Sequence, residues 1–215
     1  DTLDRLHTAM QVDGPYRPEA ADAGRRSLAN AALSLLTRTD GGARARAQLE
    51  RADNMTQSLA ALAALVRQGL GAGALEAFYT TWRNEPLVLD KWFSLQAVLA
   101  APPDAAATVR RLSEHPDFHW KTPNRFRALL GGLTANFAGF HHESGEGYAV
   151  LADWIVTLDP VNPQTAARMT GAFETWTRFD ADRRAMARAA LERIAGTKGL
   201  SRDLFEMVGR ILAAA

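Results

Sequence analysis

Apolar residues along this chain recur with the spacing of helices. Between Glu19 and Thr37, Leu28, Ala31, Ala32, Leu35 and Leu36 fall on one face, close to the i, i+3, i+4, i+7 pattern of an amphipathic helix. Asp40-Gly41-Gly42 ends that segment. Asn54 reads as the N-cap of a helix running to Gln68, with Met55, Leu59, Leu62, Leu65 and Val66 on its buried side. Gly69, Gly71 and Gly73 punctuate the chain before a helix from Ala74 to Trp82, and another spans Pro86 to Leu99 with proline in its first turn. Pro102-Pro103-Asp104 makes the next break. Shorter helices follow over Ala105 to Glu114 and Asn124 to Leu130, then Tyr148 to Leu158 after a polar, Gly-rich turn. Asn162, Asp180 and Ser201 are N-caps for the last three, which reach Ile194 and Leu212 at the end. Nothing alternates with period two for long enough to make a sheet.

Helices of this length joined by short loops pack as hairpins, and stacked hairpins curve into a solenoid. The expected fold is therefore all-α, an irregular HEAT-like superhelix of stacked antiparallel helix pairs. It lacks the sharp self-similarity of a consensus repeat. No linker-like stretch divides it, so residues 1–215 are expected to form one domain. Asp1 opens in mid-pattern without an initiator Met, and Leu3 and Leu6 are already in helical register. The chain therefore reads as an N-terminally truncated fragment of a longer protein.

Composition narrows the function classes. Alanine and leucine outweigh β-branched residues, which favours helix. Basic and acidic side chains balance at 25 and 24, so no global positive field draws in nucleic acid. The absence of cysteine excludes disulfides and thiolate metal sites and permits a reducing, cytoplasmic location. No apolar run is long enough to span a membrane.

Candidate chemistry is sparse. His115 and His119 have i, i+4 spacing, but Pro116 lies between them and no glutamate completes an HExxH pattern. His141-His142 are adjacent, so their side chains diverge on a helix; they are expected at the surface or at a cap. Gly69, Gly71 and Gly73 follow no strand and read as a turn. Asp153, Asp159 and Glu174 are scattered carboxylates without evident partners. The five tryptophans, Trp82, Trp92, Trp120, Trp154 and Trp176, are expected to be packing anchors. Arg183, Arg184 and Arg188 read as a solvated face. Arg125 and Arg127 stand at the start of a short apolar helix, where planar guanidinium forks suit a carboxylate.

Several ordered motifs carry a resemblance. Asp53-Asn54-Met55-Thr56 with Leu59-Ala60-Ala61-Leu62, Leu89-Asp90-Lys91-Trp92-Phe93, and Asn124-Arg125-Phe126-Arg127-Ala128-Leu129 are similar to segments of bacterial aminopeptidase N. Tyr16-Arg17, Gly147-Tyr148, Asn162-Pro163-Gln164, Phe179-Asp180, Leu200-Ser201 and Leu204-Phe205-Glu206 fall in that family's order. The resemblance covers nearly the whole chain and points to the family's helical C-terminal domain.

That resemblance implies a role without chemistry of its own. In the family, a zinc-bound domain holding HExxH removes the N-terminal residue of peptides, and the helical domain packs over that site. The zinc is expected in the missing catalytic domain, with no cofactor in this chain. The expected partners are that catalytic domain and peptide substrates. By motif position Arg127, Gln164 and Arg168 resemble residues facing the substrate cavity, with Arg125 as their neighbour. The alternative is an independent helical-repeat module that binds peptides or proteins.

Overall fold

The computed structural model describes residues 2–214, and all secondary structure among them is helical. The chain divides into two compact units, Asp1–Glu85 and Pro86–Ala215.

The first unit holds α1 (Thr2–Ala9), α2 (Ala20–Leu36), α3 (Ala43–Arg51), α4 (Met55–Arg67) and α5 (Ala72–Trp82). Its core forms around Leu33, Ala45, Ala61, Ala64 and Leu65, with Leu49 and Ala74 packed against them. Small residues on three helices let the backbones approach closely there. Asn54 caps α4 as expected, its Oδ1 accepting from the Gln57 amide at 3.0 Å. Gly42 enters α3 with φ +83°, and a Cβ there would come within 2.8 Å of Leu65 Cδ2.

Two features of this unit depart from the sequence reading. The buried stripe of α2 is Asp22, Arg26, Ala29, Ala32, Leu33 and Leu36, whereas Leu28 and Leu35 face outward. Two apolar stripes of helical period overlap in this segment, and the one that carries charges is the one turned inward. Asp22 pairs with Arg17 at 2.9 Å, and Arg26 donates to the Arg17 carbonyl and lies over the Tyr16 ring. Helix α3 was not expected at all. Arg44, Arg46 and Arg51 dominate it and only Ala45 and Gln48 are buried, so apolar periodicity does not mark it.

The second unit begins with α6 (Pro86–Leu99), a 3₁₀ turn (Pro102–Asp104) and α7 (Ala105–Ser113). It continues through α8 (Pro123–Ala135), α9 (Phe137–Phe140), α10 (Glu146–Leu158), α11 (Pro163–Thr170), α12 (Ala181–Ala195) and α13 (Arg202–Ala213). Helix α6 packs on α8, α7 joins both, and α10 touches α7, α11 and α12; α13 lies on α11 and α12. Each helix thus buries its apolar face against near neighbours in sequence, the local pattern of a helical array. Asn162, Asp180 and Ser201 cap their helices as expected, each accepting from the amide three residues on.

Helix α8 runs beyond the expected Leu130 to Ala135, straight through Gly131-Gly132. The pair is a packing device. A Cβ on Gly132 would lie 2.8 Å from the Ala97 Cβ and 3.1 Å from the Ser94 carbonyl oxygen on α6, whereas one on Gly131 meets nothing within 4 Å. The two adjacent positions should therefore respond with opposite sign to the same substitution. Gly131→Ala should stabilise the chain by about 0.5–1 kcal/mol through helix propensity. Gly132→Ala should destabilise it by about 1–3 kcal/mol by forcing α6 and α8 apart. Urea unfolding of both variants checks this; equal effects would refute the close-approach argument.

Candidate functional site

The four residues singled out from the sequence all fall in the second unit, but they meet different fates. Arg125 and Arg127 stand in the first turns of α8, started by Pro123. Two residues apart on a helix, they point to nearly opposite sides. Arg125 turns inward and is buried. Its Nε pairs with Asp90 of α6, Nη1 donates to the Asp117 carbonyl, and Nη2 reaches the Pro86 carbonyl at 3.5 Å. The guanidinium also lies over the Phe93 ring, 5.0 Å from its centroid. Arg127 is exposed and, among the described residues, bonds only to Asn124 Oδ1, one turn back.

Gln164 and Arg168 are brought together. They lie one turn apart on α11, whose start is fixed by Asn162 Oδ1 accepting from the Thr165 amide at 3.0 Å. Both line a groove of about 570 Å³ between α11 and α13, with Ala167, Asp203, Glu206, Met207 and Arg210. Arg127 is not among its walls. Two of the groove's charges are already engaged, Glu206 with Arg202 at 2.7 Å and Arg210 with Glu174 at 3.2 Å. Arg168 makes no ion pair or hydrogen bond among the described residues, so its fork is open to a carboxylate.

The far wall is held rigidly. Asp159, buried at the end of α10, accepts from both the amide and the hydroxyl of Ser201, while Ser201 Oγ accepts from the Leu204 amide that begins α13. Trp176 Nε1 donates to the Ile211 carbonyl at 3.3 Å near the other end of that helix. The carboxylates that lacked partners in the sequence reading thus find structural ones: Asp159 with Ser201, Asp153 with Arg193, and Glu174 with Arg210.

The histidines separate in the same way. His115 and His119 lie in the turn after α7, and His115 Nδ1 accepts from the Asp117 amide at 3.1 Å. Among the described residues no cluster of three or more His, Asp or Glu side chains is arranged to hold a metal ion. His141 stands at the cap of α9, one of the two expected places, but it is buried, 6% exposed. Its Nδ1 lies 2.9 Å from the Tyr148 hydroxyl, and its ring stacks on Phe179 at 4.1 Å. Phe137 and Phe140 close the edges, and Arg183 donates to the His141 carbonyl. Burial, helped by the Arg183 charge, lowers its pKa to about 4, and burial raises that of Tyr148 to about 12. Both are neutral near pH 7. The cluster holds α9, α10 and α12 together. Only the surrounding aromatics, scattered over forty residues of sequence, marked it.

Comparisons with known proteins give this geometry a context. Residues 1–213 match the family described as "Domain of unknown function (DUF3458_C) ARM repeats". The chain is 43% identical over 219 residues to aminopeptidase N of Caulobacter vibrioides, with 99% of the chain and 25% of that protein covered. It is 35% identical to the Haemophilus influenzae aminopeptidase N (99% and 25% covered) and 38% identical to the Escherichia coli one (92% and 23%). The chain therefore spans about a quarter of these relatives, and the matched part is their C-terminal region. A crystal structure of Legionella pneumophila aminopeptidase A in complex with aspartic acid superposes with a TM-score of 0.90 at 33% identity, over 99% of this chain and 26% of that one.

The buried imidazole makes stability depend on pH with a definite sign. The unfolded chain takes up a proton on His141 below its ordinary value of 6.5, which the folded chain refuses until about 4. Stability should therefore fall as pH drops through that window. His141→Gln should flatten this part of the slope in urea titrations; parallel slopes for the two proteins would contradict a neutral, buried His141.

Proposed function

We propose, from the fact that this chain belongs to the DUF3458_C ARM-repeat family, that it is the non-catalytic C-terminal domain of a zinc aminopeptidase of the aminopeptidase N type. Residues 1–215 act there as one functional domain. The domain covers the catalytic site, encloses the substrate cavity and admits peptides in preference to folded proteins. The parent's zinc and general base belong to the part outside this chain. A cytoplasmic location accompanies this reading, as a cysteine-free sequence permits. Among the described residues, no helix is long and apolar enough to cross a membrane.

One observation carries the proposal: nearly the whole chain matches the C-terminal quarter of three aminopeptidases N. The groove adds Arg168, a guanidinium unpaired among the described residues. In open solvent such a charge contributes little, because water and salt screen it. Covered by a catalytic domain, the same Arg168 fork would meet a peptide carboxylate in a lower dielectric and bind it more strongly. Gln164, one turn away, adds a donor and an acceptor for the peptide backbone. Arg127 is the second exposed cation offered to the cavity. Arg125 serves by fixing α8, on which Arg127 stands.

Two measurements test this reading. In the full-length parent, Arg168→Ala should raise KM for short peptides by about tenfold, equivalent to ~1.4 kcal/mol, or change their ranking, with bound zinc unchanged. Loss of zinc with unaltered selectivity would contradict a cavity role. The isolated chain should not hydrolyse an alanyl or leucyl chromogenic amide, with or without added zinc. Zinc-dependent turnover by the chain alone would overturn the non-catalytic assignment.

A further inference from the structure

The groove between α11 and α13 carries more than its open cation. Its walls are two helical faces, with Gln164 and Arg168 one turn apart on α11 and Asp203, Met207 and Arg210 spaced i, i+4, i+7 on α13. The two helices run in the same direction. Asp159, three residues before the cap of α11, holds Ser201, the cap of α13, so the helices start together. Trp176, a few residues beyond α11, donates to the Ile211 carbonyl near the end of α13, so they also end together.

Two opposite charges face this groove without meeting. Arg168 makes no ion pair or hydrogen bond among the described residues, and the same holds for the Asp203 carboxylate. The groove's other charges are matched within the fold: Glu206 turns back to Arg202, and Arg210 pairs with Glu174. With the helix starts level, Arg168, the sixth residue of α11, stands ~6 Å further along than Asp203, the second of α13. That offset keeps the two apart. The apolar lining is supplied by Ala167, which is buried, and Met207, which is half-buried.

An unclosed pair of this kind suits a ligand that carries both signs on one short apolar stem. A C-terminal lysine or arginine does so. Its carboxylate fits the Arg168 fork, its side-chain cation reaches Asp203, and its aliphatic stem covers Met207. A C-terminal acidic residue would instead bring like charge to Asp203, and an apolar one would leave Asp203 without a partner. The volume of about 570 Å³ is that of a ligand pocket.

We infer that Asp203 is a specificity residue which, together with Arg168, favours short peptides ending in lysine or arginine. The inference rests on the proposed cavity role of this groove, and it adds a side-chain preference at the far end of the peptide.

Tripeptide hydrolysis by the full-length parent tests it. Ala-Ala-Lys and Ala-Ala-norleucine share an unbranched stem and differ in the ammonium group; each is assayed with a free and an amidated C-terminus. Wild-type kcat/KM should favour lysine over norleucine about fivefold, the size of one favourable exposed ion pair, and less at high salt. Asp203→Asn keeps the side chain's shape at an exposed position, so the fold is retained. It should bring that ratio close to one and leave the preference for free over amidated norleucine peptide unchanged. An absent lysine preference, or one that survives Asp203→Asn, overturns the inference, and the Arg168 reading stands if Arg168→Ala still abolishes the preference for a free carboxylate. Equal cleavage of free and amidated peptides by the wild type overturns the Arg168 reading and this two-point recognition with it.

Discussion

A guanidinium removed from water must have its donors met, and Arg125 meets that demand by gripping two separate segments at three points. It pairs with Asp90 on α6, donates to the Asp117 carbonyl in the turn after α7, and reaches the Pro86 carbonyl where α6 begins. The helix that carries it is thereby fixed to α6, and Gly132 allows the two backbones to close further along. Removing one partner of such a buried pair typically costs about 3–5 kcal/mol, because the other charge is left uncompensated. Phe93, beneath the guanidinium, contacts Phe118, which meets Trp154 of α10 edge-on. The end of α10 supplies Asp159, and Asp159 holds the start of α13. The groove that presents Gln164 and Arg168 thus stands at the end of a continuous path of contacts leading back to Arg125.

Those contacts explain which parts of the molecule its sequence displayed. Caps were legible because their geometry is local: Asn54, Asn162, Asp180 and Ser201 each satisfy an amide three residues away. The helical class was legible from apolar spacing and the breakers between segments. The choice between two overlapping stripes on α2 was not, since Ala29-Leu33-Leu36 and Leu28-Leu35 are equally periodic and only packing selects between them. Helix α3 escaped because arginine has good helix propensity but leaves no apolar signature.

The candidate site followed the same division. Arg125 and Arg127 look interchangeable in sequence, yet a turn of nearly 200° sends one into the core and leaves the other in solvent. Motif position singled out Gln164 and Arg168, and helical spacing placed them on one face. The groove wall opposite them is built from α13, some forty residues away, and no local pattern announces that meeting. His141 takes the cap position at the end of α9, but adjacent histidines carry no sign of burial until Tyr148, Phe179 and Arg183 close around one of them.

An exposed charge in an open groove acquires a function when another surface lowers the dielectric around it, and the proposed function assigns that surface to the rest of the parent. Photo-affinity labelling of the full-length parent tests this most directly. A substrate-like peptide with a photoreactive group at its C-terminal residue should leave adducts on Gln164–Arg168 or Asp203–Arg210, and excess unlabelled peptide should prevent them. Adducts confined to regions outside residues 86–215, under conditions where the enzyme is saturated, would contradict the account.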